Sequence, residues 1–302
     1  MKEISIQNFI NNLKIDIPPE KEFLKLSRIS PVNPKRNENS IINFERGMLL
    51  YALITKIKPK TVLEIGTAEG YSTLCMAWAM TENKIEGKIF TVDPKSHQQA
   101  IERRIKINEN DEPINMILST EELWNKFASQ EWIDKIEVIT GYSGEVLRSK
   151  QFPEIEFCYI DGSHAYEAVK HDFFAVLKLV SEKFCFLFNT YVPEVNGYVP
   201  KKTNGVKKVV DEEIMNIFET TLIITNSKKQ RIELKSDTND ESAMCYMCSS
   251  SLKKSLWETF SKKEVDEFLR KYEFTVKRIK IRKQFDKKIP FLKNIRFRWW
   301  KK

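Results

Sequence analysis

Apolar positions along the chain follow two rhythms. From Ile41 to Ile57 the residues Ile42, Met48, Leu49, Leu50, Ala52, Leu53, Ile54 and Ile57 recur at helical spacing, and Pro59 ends the run. Short β-branched and aliphatic runs follow. Thr61 to Ile65, Lys88 to Asp93, Ile136 to Gly141, Glu156 to Asp161 and Phe184 to Phe188 predict five strands. A turn with two glycines, Gly66 to Gly70, leads from the first strand into a helix over Tyr71 to Met80, and the fourth strand precedes a helix over Tyr166 to Val180. Near-continuously apolar strands that alternate with helices predict an α/β architecture: a doubly wound, mostly parallel sheet with helices on both faces.

The remaining segments are assigned around this frame. Val206 to Phe218 predicts a helix, and Thr221 to Thr225 and Ala243 to Cys248 two strands suited to an antiparallel sheet edge. Ser96 to Asp134 is too long for a simple crossover and predicts one or two helices, with Trp124, Phe127 and Trp132 as packing residues. Residues 1–40 are polar and broken by Pro18, Pro19, Pro31 and Pro34, which predicts an N-terminal arm or cap. The main domain is expected over 41–250, and residues 251–302 as a helix from Lys253 to Tyr272 followed by a tail.

Composition narrows the class. With 302 residues, 41% hydrophobic and 30% charged, the chain has enough apolar material for a sizeable core, which excludes a wholly disordered chain. Nine Gly and eleven Pro exclude a collagenous or low-complexity chain, and no run reaches the roughly 18 to 20 apolar residues of a transmembrane helix. The first residues turn polar too soon for a secretory signal, so the cytoplasm is the expected compartment. Five Cys fit that expectation: the number is odd, and Cys75, Cys158 and Cys185 lie in apolar runs, as small buried hydrophobes do, rather than as disulfide partners. Cys245 and Cys248 form a CxxC pair. No second pair exists, and positions i and i+3 of a strand face opposite sides, which argues against zinc.

Charge is segregated. Residues 251–302 hold 18 Lys/Arg against 6 Asp/Glu, a net of +12, so residues 1–250 sum to −4 within a total of +8. From Lys277 to Lys302 there are 12 basic residues and one acid, Asp286, interleaved with Ile279, Ile281, Phe285, Phe291, Phe297, Trp299 and Trp300. Such a run is either a solvated, partner-binding arm or a segment lying on an anionic membrane surface, with rings at headgroup level. The acidic main body argues against nucleic acid as the partner.

In an open α/β sheet, ligands bind beyond the carboxyl ends of the strands. After the first strand, Gly66 and Gly70 are separated by three residues, which lets backbone approach a ligand and opens a helix N-terminus towards it. The dinucleotide pattern GxGxxG is absent, because Ala68 stands at its second glycine, and so is the Lys-Ser/Thr of a phosphate-binding loop. Asp93, at the end of the second strand, suits the two hydroxyls of a ribose or a strand-end cap.

The stretches Val62-Leu63-Glu64-Ile65-Gly66-Thr67-Ala68-Glu69-Gly70-Tyr71-Ser72-Thr73 and Tyr159-Ile160-Asp161-Gly162-Ser163-His164-Ala165-Tyr166-Glu167 resemble the class I S-adenosylmethionine-dependent methyltransferases. The resemblance spans about Ile41 to Asp211. It is closest to the sugar O-methyltransferase and cephalosporin-hydroxylase-like proteins, beside the catechol-type O-methyltransferases, and implies a Rossmann-like domain. It implies that Glu64, Gly66, Thr67, Gly70, Tyr71 and Ser72 surround the methionine part of S-adenosylmethionine, that Asp93 holds its ribose, and that Gly141, Tyr142 and Ser143 lie against its adenine. His164 falls where these families carry a base, with Asp161 to orient it or to bind metal; imidazole titrates near neutrality, as a base for a hydroxyl requires. His171 is expected at the surface and Asp172 to point back to the turn.

In the same families a divalent ion is held by the acid after strand four and by ligands after strand five. Here Asp161 and Asn189 are the candidate Mg²⁺ ligands, in the run Leu187-Phe188-Asn189-Thr190-Tyr191, and one carboxylate with a neutral amide is a poor set for a hard cation. Tyr191, Tyr198 and Pro193 to Asn204 are read as an acceptor-side loop or as a solvent loop. The expected function is O-methylation of a sugar, glycan or other small hydroxylated acceptor, by a cytoplasmic protein, peripheral on the inner membrane face through residues 277–302, with an oligomer compatible. The alternatives are a non-catalytic S-adenosylmethionine-binding or interaction protein, and a nucleic-acid methyltransferase. Against the last, Phe188-Asn189-Thr190-Tyr191 lacks the two prolines of an Asn/Asp-Pro-Pro-Tyr/Phe run.

Overall fold

The computed structural model describes residues 1–30, 44–108, 111–191, 204–225, 243–249, 257 and 260–288. The chain divides into two compact units, Met1–Leu256 and Trp257–Lys302.

The first unit is built on an eight-stranded sheet. In chain order its strands are β1 (Lys2–Ser5), β2 (Thr61–Ile65), β3 (Lys88–Asp93), β6 (Ile136–Thr140), β7 (Ile155–Ile160), β8 (Val180–Tyr191), β9 (Glu219–Ile224) and β10 (Ala243–Cys248). Their spatial order is β1-β9-β10-β8-β7-β2-β3-β6. β10 runs antiparallel to both β8 and β9, as the sequence predicts for that edge, and every other pairing is parallel. All five residues of β2 are buried, as a strand covered on both faces requires.

The helices form two packed groups. α3 (Glu45–Ile57) and α4 (Tyr71–Glu82) lie together with α1 (Ile6–Leu13), α2 (Glu20–Ser27) and α6 (Gln130–Ile133), while α8 (Tyr166–Leu177) contacts α7 (Ser143–Ser149) and α9 (Asn204–Val209). In the first group Phe23 packs on Tyr51 and Trp78, with centroids 5.7 and 5.0 Å away, and Trp78 stacks on Trp132 at 5.2 Å. On the second side Phe173 meets Phe186, Phe188 and Phe218. Each buried aromatic contributes roughly 1.5–3 kcal/mol of transfer free energy.

This winding places the site. The chain moves outward from β2 to β3 and β6, then returns to the other side of β2 with β7 and β8. The direction reverses between β2 and β7, so their carboxyl ends open a crevice where two connecting helices diverge. The structure is thus the expected Rossmann-like fold, doubly wound and mostly parallel.

Three segments depart from the sequence reading. Residues 96–134 hold α5 (Thr120–Phe127) and α6, but also an antiparallel hairpin, β4 (Ile101–Ile105) with β5 (Ile114–Leu118), apart from the main sheet. Its one inward arginine and its exposed Ile117, 74% accessible, blur the alternation that announces a strand. The polar N-terminal segment contributes β1, parallel to β9, and α1, whose first turn is capped by Ser5 accepting from the Asn8 amide at 3.3 Å. In the second unit the last helix, α10 (Lys262–Lys288), runs past the predicted end at Tyr272, because neither Gly nor Pro interrupts it. Phe274 and Ile279 are exposed on it. The tail from residue 289 onward, with Trp299 and Trp300, lies outside the described residues, as do Pro193 to Thr203 and Tyr198.

Cys185 corrects an expectation. It is joined by a disulfide to Cys248, whereas Cys75, Cys158 and Cys245 are free and buried. The cause is non-local: antiparallel pairing of β8 with β10 sets the two residues opposite each other with Cα atoms 4.3 Å apart. Among the described residues no helix is long and apolar enough to cross a membrane.

Candidate active site

The β2–α4 turn is shaped by close approaches. Gly66 has φ +97°, and a Cβ there would lie 2.3 Å from the Asp161 carbonyl oxygen, so only glycine lets the first turn rest on the end of β7. Gly70, at φ +89°, faces the Trp124 indole, whose Nε1 donates to the Glu69 carbonyl at 2.8 Å. Ala68 between them is left-handed as well, at φ +48°. α4 begins directly after Gly70, and its first amides, at Tyr71, Ser72 and Thr73, precede the first intrahelical bond, Leu74 N–H to the Gly70 carbonyl.

Asp93 secures this turn from β3. Its Oδ2 accepts from the Ala68 amide at 3.0 Å and its Oδ1 from the Lys95 amide at 2.8 Å. The carboxylate therefore caps two backbone segments, and each oxygen keeps a lone pair for a further donor.

Below the turn lies a buried polar chain. Thr73 and Thr91 donate to Glu64 Oε2 at 2.5 and 2.6 Å, and the Thr67 and Thr91 hydroxyls meet at 2.5 Å. Glu64 Oε1 is buried with no hydrogen-bond partner. Burial pushes the Glu64 carboxyl up to about 8 against the pull of the two threonine hydrogen bonds. Thr67 thus directs its hydroxyl into this chain. Ser72 is buried. The Tyr71 side chain is 2% exposed and donates to the Phe44 carbonyl at 2.8 Å, so it anchors α3, and what Tyr71 presents at the turn is its backbone.

Around the end of β6, the Gly141 amide donates to the Asp93 carbonyl at 2.9 Å, and Tyr142 is half exposed. Ser143 donates to Asp172 Oδ1 at 2.7 Å, tying α7 to α8. Asp172 does point back to the turn after β7, with Oδ2 3.8 Å from the Cβ position of Gly162. His171, expected at the surface, is fully buried, because α8 is covered by helices as well as by the sheet.

The end of β7 gathers the charged groups. Asp161 Oδ2 accepts from Arg46 Nη1 at 3.1 Å and from the Tyr159 hydroxyl at 3.0 Å; Oδ1 accepts from Asn189 Nδ2 at 2.7 Å, and His164 Nε2 stands 3.7 Å away. Burial works to raise the Asp161 carboxyl, but the Arg46 charge, the nearby His164 imidazole and the hydrogen bonds from Asn189 and Tyr159 hold it below the usual range. Side chains of Arg46, Asp161 and His164 remain 20%, 17% and 29% exposed, so the cluster keeps contact with solvent. Gly205 brings the start of α9 onto the turn after β7: a Cβ there would lie 2.2 Å from the His164 carbonyl oxygen.

Four contributors were not evident in the sequence. Arg46 comes from α3, 115 positions before its partner, and its only local signal is a charged Glu45-Arg46 pair opening an otherwise apolar helix. Tyr159 is an ordinary strand residue until its hydroxyl is seen on Asp161. Arg103, 5% exposed on β4, donates to the Leu118 carbonyl, Thr120 and Glu69, which ties the hairpin to the glycine turn. His97, after β3, has both ring nitrogens buried without a hydrogen-bond partner, beside the Trp124 ring at 5.9 Å, and burial lowers its pKa.

The two candidate groups of the fold fare differently. The unpartnered Glu64 oxygen, the open amides of α4 and the residual acceptor capacity of Asp93 fit an adenosyl amino acid, with an ammonium, a carboxylate and ribose hydroxyls to satisfy. A divalent ion does not fit. Both Asp161 oxygens are already taken by protein donors, a guanidinium sits against them, Asn189 presents its amide nitrogen, and among the described residues no cluster of three or more His, Cys, Asp or Glu could hold a metal.

Residues 63–191 match the family model described as a methyltransferase domain. No curated protein sequence matches the chain. Among solved structures, an O-methyltransferase from Bacillus cereus in complex with SAH shares 16% identity, with 81% of this chain and 97% of that one covered at a TM-score of 0.50. The O-methyltransferase TomG from Streptomyces achromogenes, involved in tomaymycin synthesis and solved with SAM, shares 14% identity over 81% and 96% of the chains, also at 0.50. These likenesses agree on the fold, and the sequence match falls on the segment that carries both turns. Residues 63–191, the part of the chain similar to the methyltransferase-domain family, include the glycine turn, Asp93, Asp161 and His164.

Proposed function

We propose that the protein is an S-adenosylmethionine-dependent O-methyltransferase whose acceptor is a hydroxyl of a sugar, a glycan or another small hydroxylated molecule. The observation that carries this reading is the pairing of two unlike half-sites at the β2/β7 switch point: a turn of open amides with an unpartnered carboxylate oxygen, and a charged cluster holding a partly exposed histidine. The solved relatives bound to SAH and SAM support the cofactor assignment.

The cofactor supplies, when bound, a methyl group on a sulfonium. Glu64, the amides of Tyr71 and Ser72, Asp93 and the segment Gly141 to Ser143 would hold it. His164 takes the hydroxyl proton of the acceptor, and Asp161, fixed by Tyr159 and Asn189, keeps the imidazole in place and stabilises it once protonated. A glycan is the preferred acceptor because the basic, aromatic residues 277–302 would bring the enzyme to an anionic membrane face carrying lipid-linked glycans.

Calorimetric titration with S-adenosylhomocysteine tests the cofactor assignment. Micromolar binding is expected, weakened about 10-fold or more in Asp93→Ala, by loss of one or two hydrogen bonds to a charged acceptor; absence of binding in the wild type overturns the reading. For the tail, truncation after Glu273 is expected to leave that binding intact and to abolish co-sedimentation with vesicles containing phosphatidylserine. Unchanged sedimentation removes the membrane element.

A further inference from the structure

We infer that Arg46 is the built-in cation of the acceptor site: its guanidinium occupies the position at Asp161 that a divalent ion would need, so the acceptor oxygen is held by Arg46 and methyl transfer proceeds without metal. The inference rests on the methyltransferase reading above and specifies how that site binds its acceptor.

The placement of Arg46 is rigid. α3 packs tightly on α4 here: a Cβ on Gly47 would lie 2.3 Å from the Tyr71 hydroxyl oxygen and 2.6 Å from Cys75 Sγ. Tyr71 in turn donates to the Phe44 carbonyl, fixing the start of α3, and its ring lies 6.0 Å from the Arg46 guanidinium carbon. The side chain is therefore aimed by packing on two helices before any ligand arrives.

Charge and hydrogen bonding point the same way. Burial works against the Arg46 charge, but Tyr159, Asp161 and Tyr71 more than offset it and hold the guanidinium firmly protonated. With Glu64 leaning to its neutral form, Arg46 and Asp161 balance one another, and a divalent ion would add charge against a cation that cannot leave. Of the five N–H donors of the guanidinium, Nη1 is paired with Asp161, while Nε is buried without a partner. Donor capacity remains beside the partly open Asp161 and His164, where an oxygen acquiring negative charge gains most from it.

The step balances with the groups named. The acceptor O–H bond breaks and its proton passes to His164; an O–C bond forms to the methyl carbon while the C–S bond breaks and sulfur keeps the electron pair. Arg46 steadies the oxygen throughout. It neither gains nor loses a proton.

Manganese, read by its free-ion electron paramagnetic resonance signal, tests the inference on the full chain saturated with S-adenosylhomocysteine. The wild type is expected to take up no Mn²⁺ in an Asp161-dependent way up to about 1 mM. Arg46→Glu is expected to gain a site binding at least about 10-fold tighter, lost again when Asp161→Asn is added. One Mn²⁺ per wild-type chain that disappears in Asp161→Asn overturns the inference, and so does an Arg46→Glu protein that binds S-adenosylhomocysteine normally yet gains no Mn²⁺. Should Arg46→Glu fail to fold, the wild-type and Asp161→Asn titrations decide alone. A wild type that binds no S-adenosylhomocysteine overturns the methyltransferase reading, whereas Asp161-dependent Mn²⁺ with S-adenosylhomocysteine bound overturns this inference and leaves that reading intact.

Discussion

The two halves of the crevice are assembled on different principles. On the β2 side, the turn from Gly66 to Gly70 is made of backbone amides, threonine hydroxyls and a carboxyl leaning to neutral, nearly all within one strand–turn–helix segment. On the β7 side, Asp161 is fixed by Arg46 from α3, Tyr159 from β7 and Asn189 from β8, over separations of up to 115 residues. One side gains its polarity from how the chain bends; the other gains it from which distant charges the fold brings together. A single-residue change should therefore disturb the first by breaking backbone geometry and the second by removing chemistry from an intact frame.

Gly66→Ala should produce the largest effect. The left-handed φ costs an alanine about 1–2 kcal/mol, and the new Cβ would press on the Asp161 carbonyl, so both half-sites shift at once. Loss of measurable S-adenosylhomocysteine binding is expected, with a lowered melting temperature. Binding within threefold of the wild type would show that the two turns are less tightly joined than a 2.3 Å approach requires.

His164→Ala probes the other side. Methyl transfer from labelled S-adenosylmethionine to a glycan acceptor is expected to fall about 100-fold, as general-base catalysis typically contributes, while S-adenosylhomocysteine affinity stays within about threefold. The split between rate and affinity is the diagnostic feature. An unchanged rate would transfer the proton-accepting role to another group, and a parallel loss of affinity would mean that the halves are not separable.

The same contrast explains what the sequence revealed. Seven of the eight main-sheet strands are read from short apolar runs, because burial on both faces leaves β2, β3, β7 and β8 little choice of composition. The glycine turn, Asp93 and Asp161 are legible because strand ends are where such a sheet binds ligands. Arg46 is not legible, since nothing within α3 tells that Asp161 lies opposite; nor is the Cys185–Cys248 disulfide, which depends on the register of β8 against β10. The β4–β5 hairpin is missed for a third reason: Arg103 points inward, bonded to Leu118, Thr120 and Glu69, at a position where alternation predicts an apolar side chain.

Glu64 offers the smallest and most direct test of the first half. Its folded pKa of about 8 lies above the ordinary 4.5, so between these values the folded protein holds a proton that the unfolded chain has released. The stabilisation from this group is fully present below about pH 4.5 and is lost as pH rises through about 8. An ammonium brought to the unpartnered Oε1 would favour the carboxylate, so S-adenosylhomocysteine binding at pH 7 should release up to about one proton, seen as a dependence of the calorimetric enthalpy on buffer ionisation. Glu64→Gln should abolish that release and flatten the fall in stability between pH 5 and 8, since the amide keeps the acceptor for Thr73 and Thr91 without titrating. Proton release that persists in Glu64→Gln would place the coupled group elsewhere on the glycine-turn side, and His97, buried beside Trp124 with its pKa lowered, is the next residue to replace.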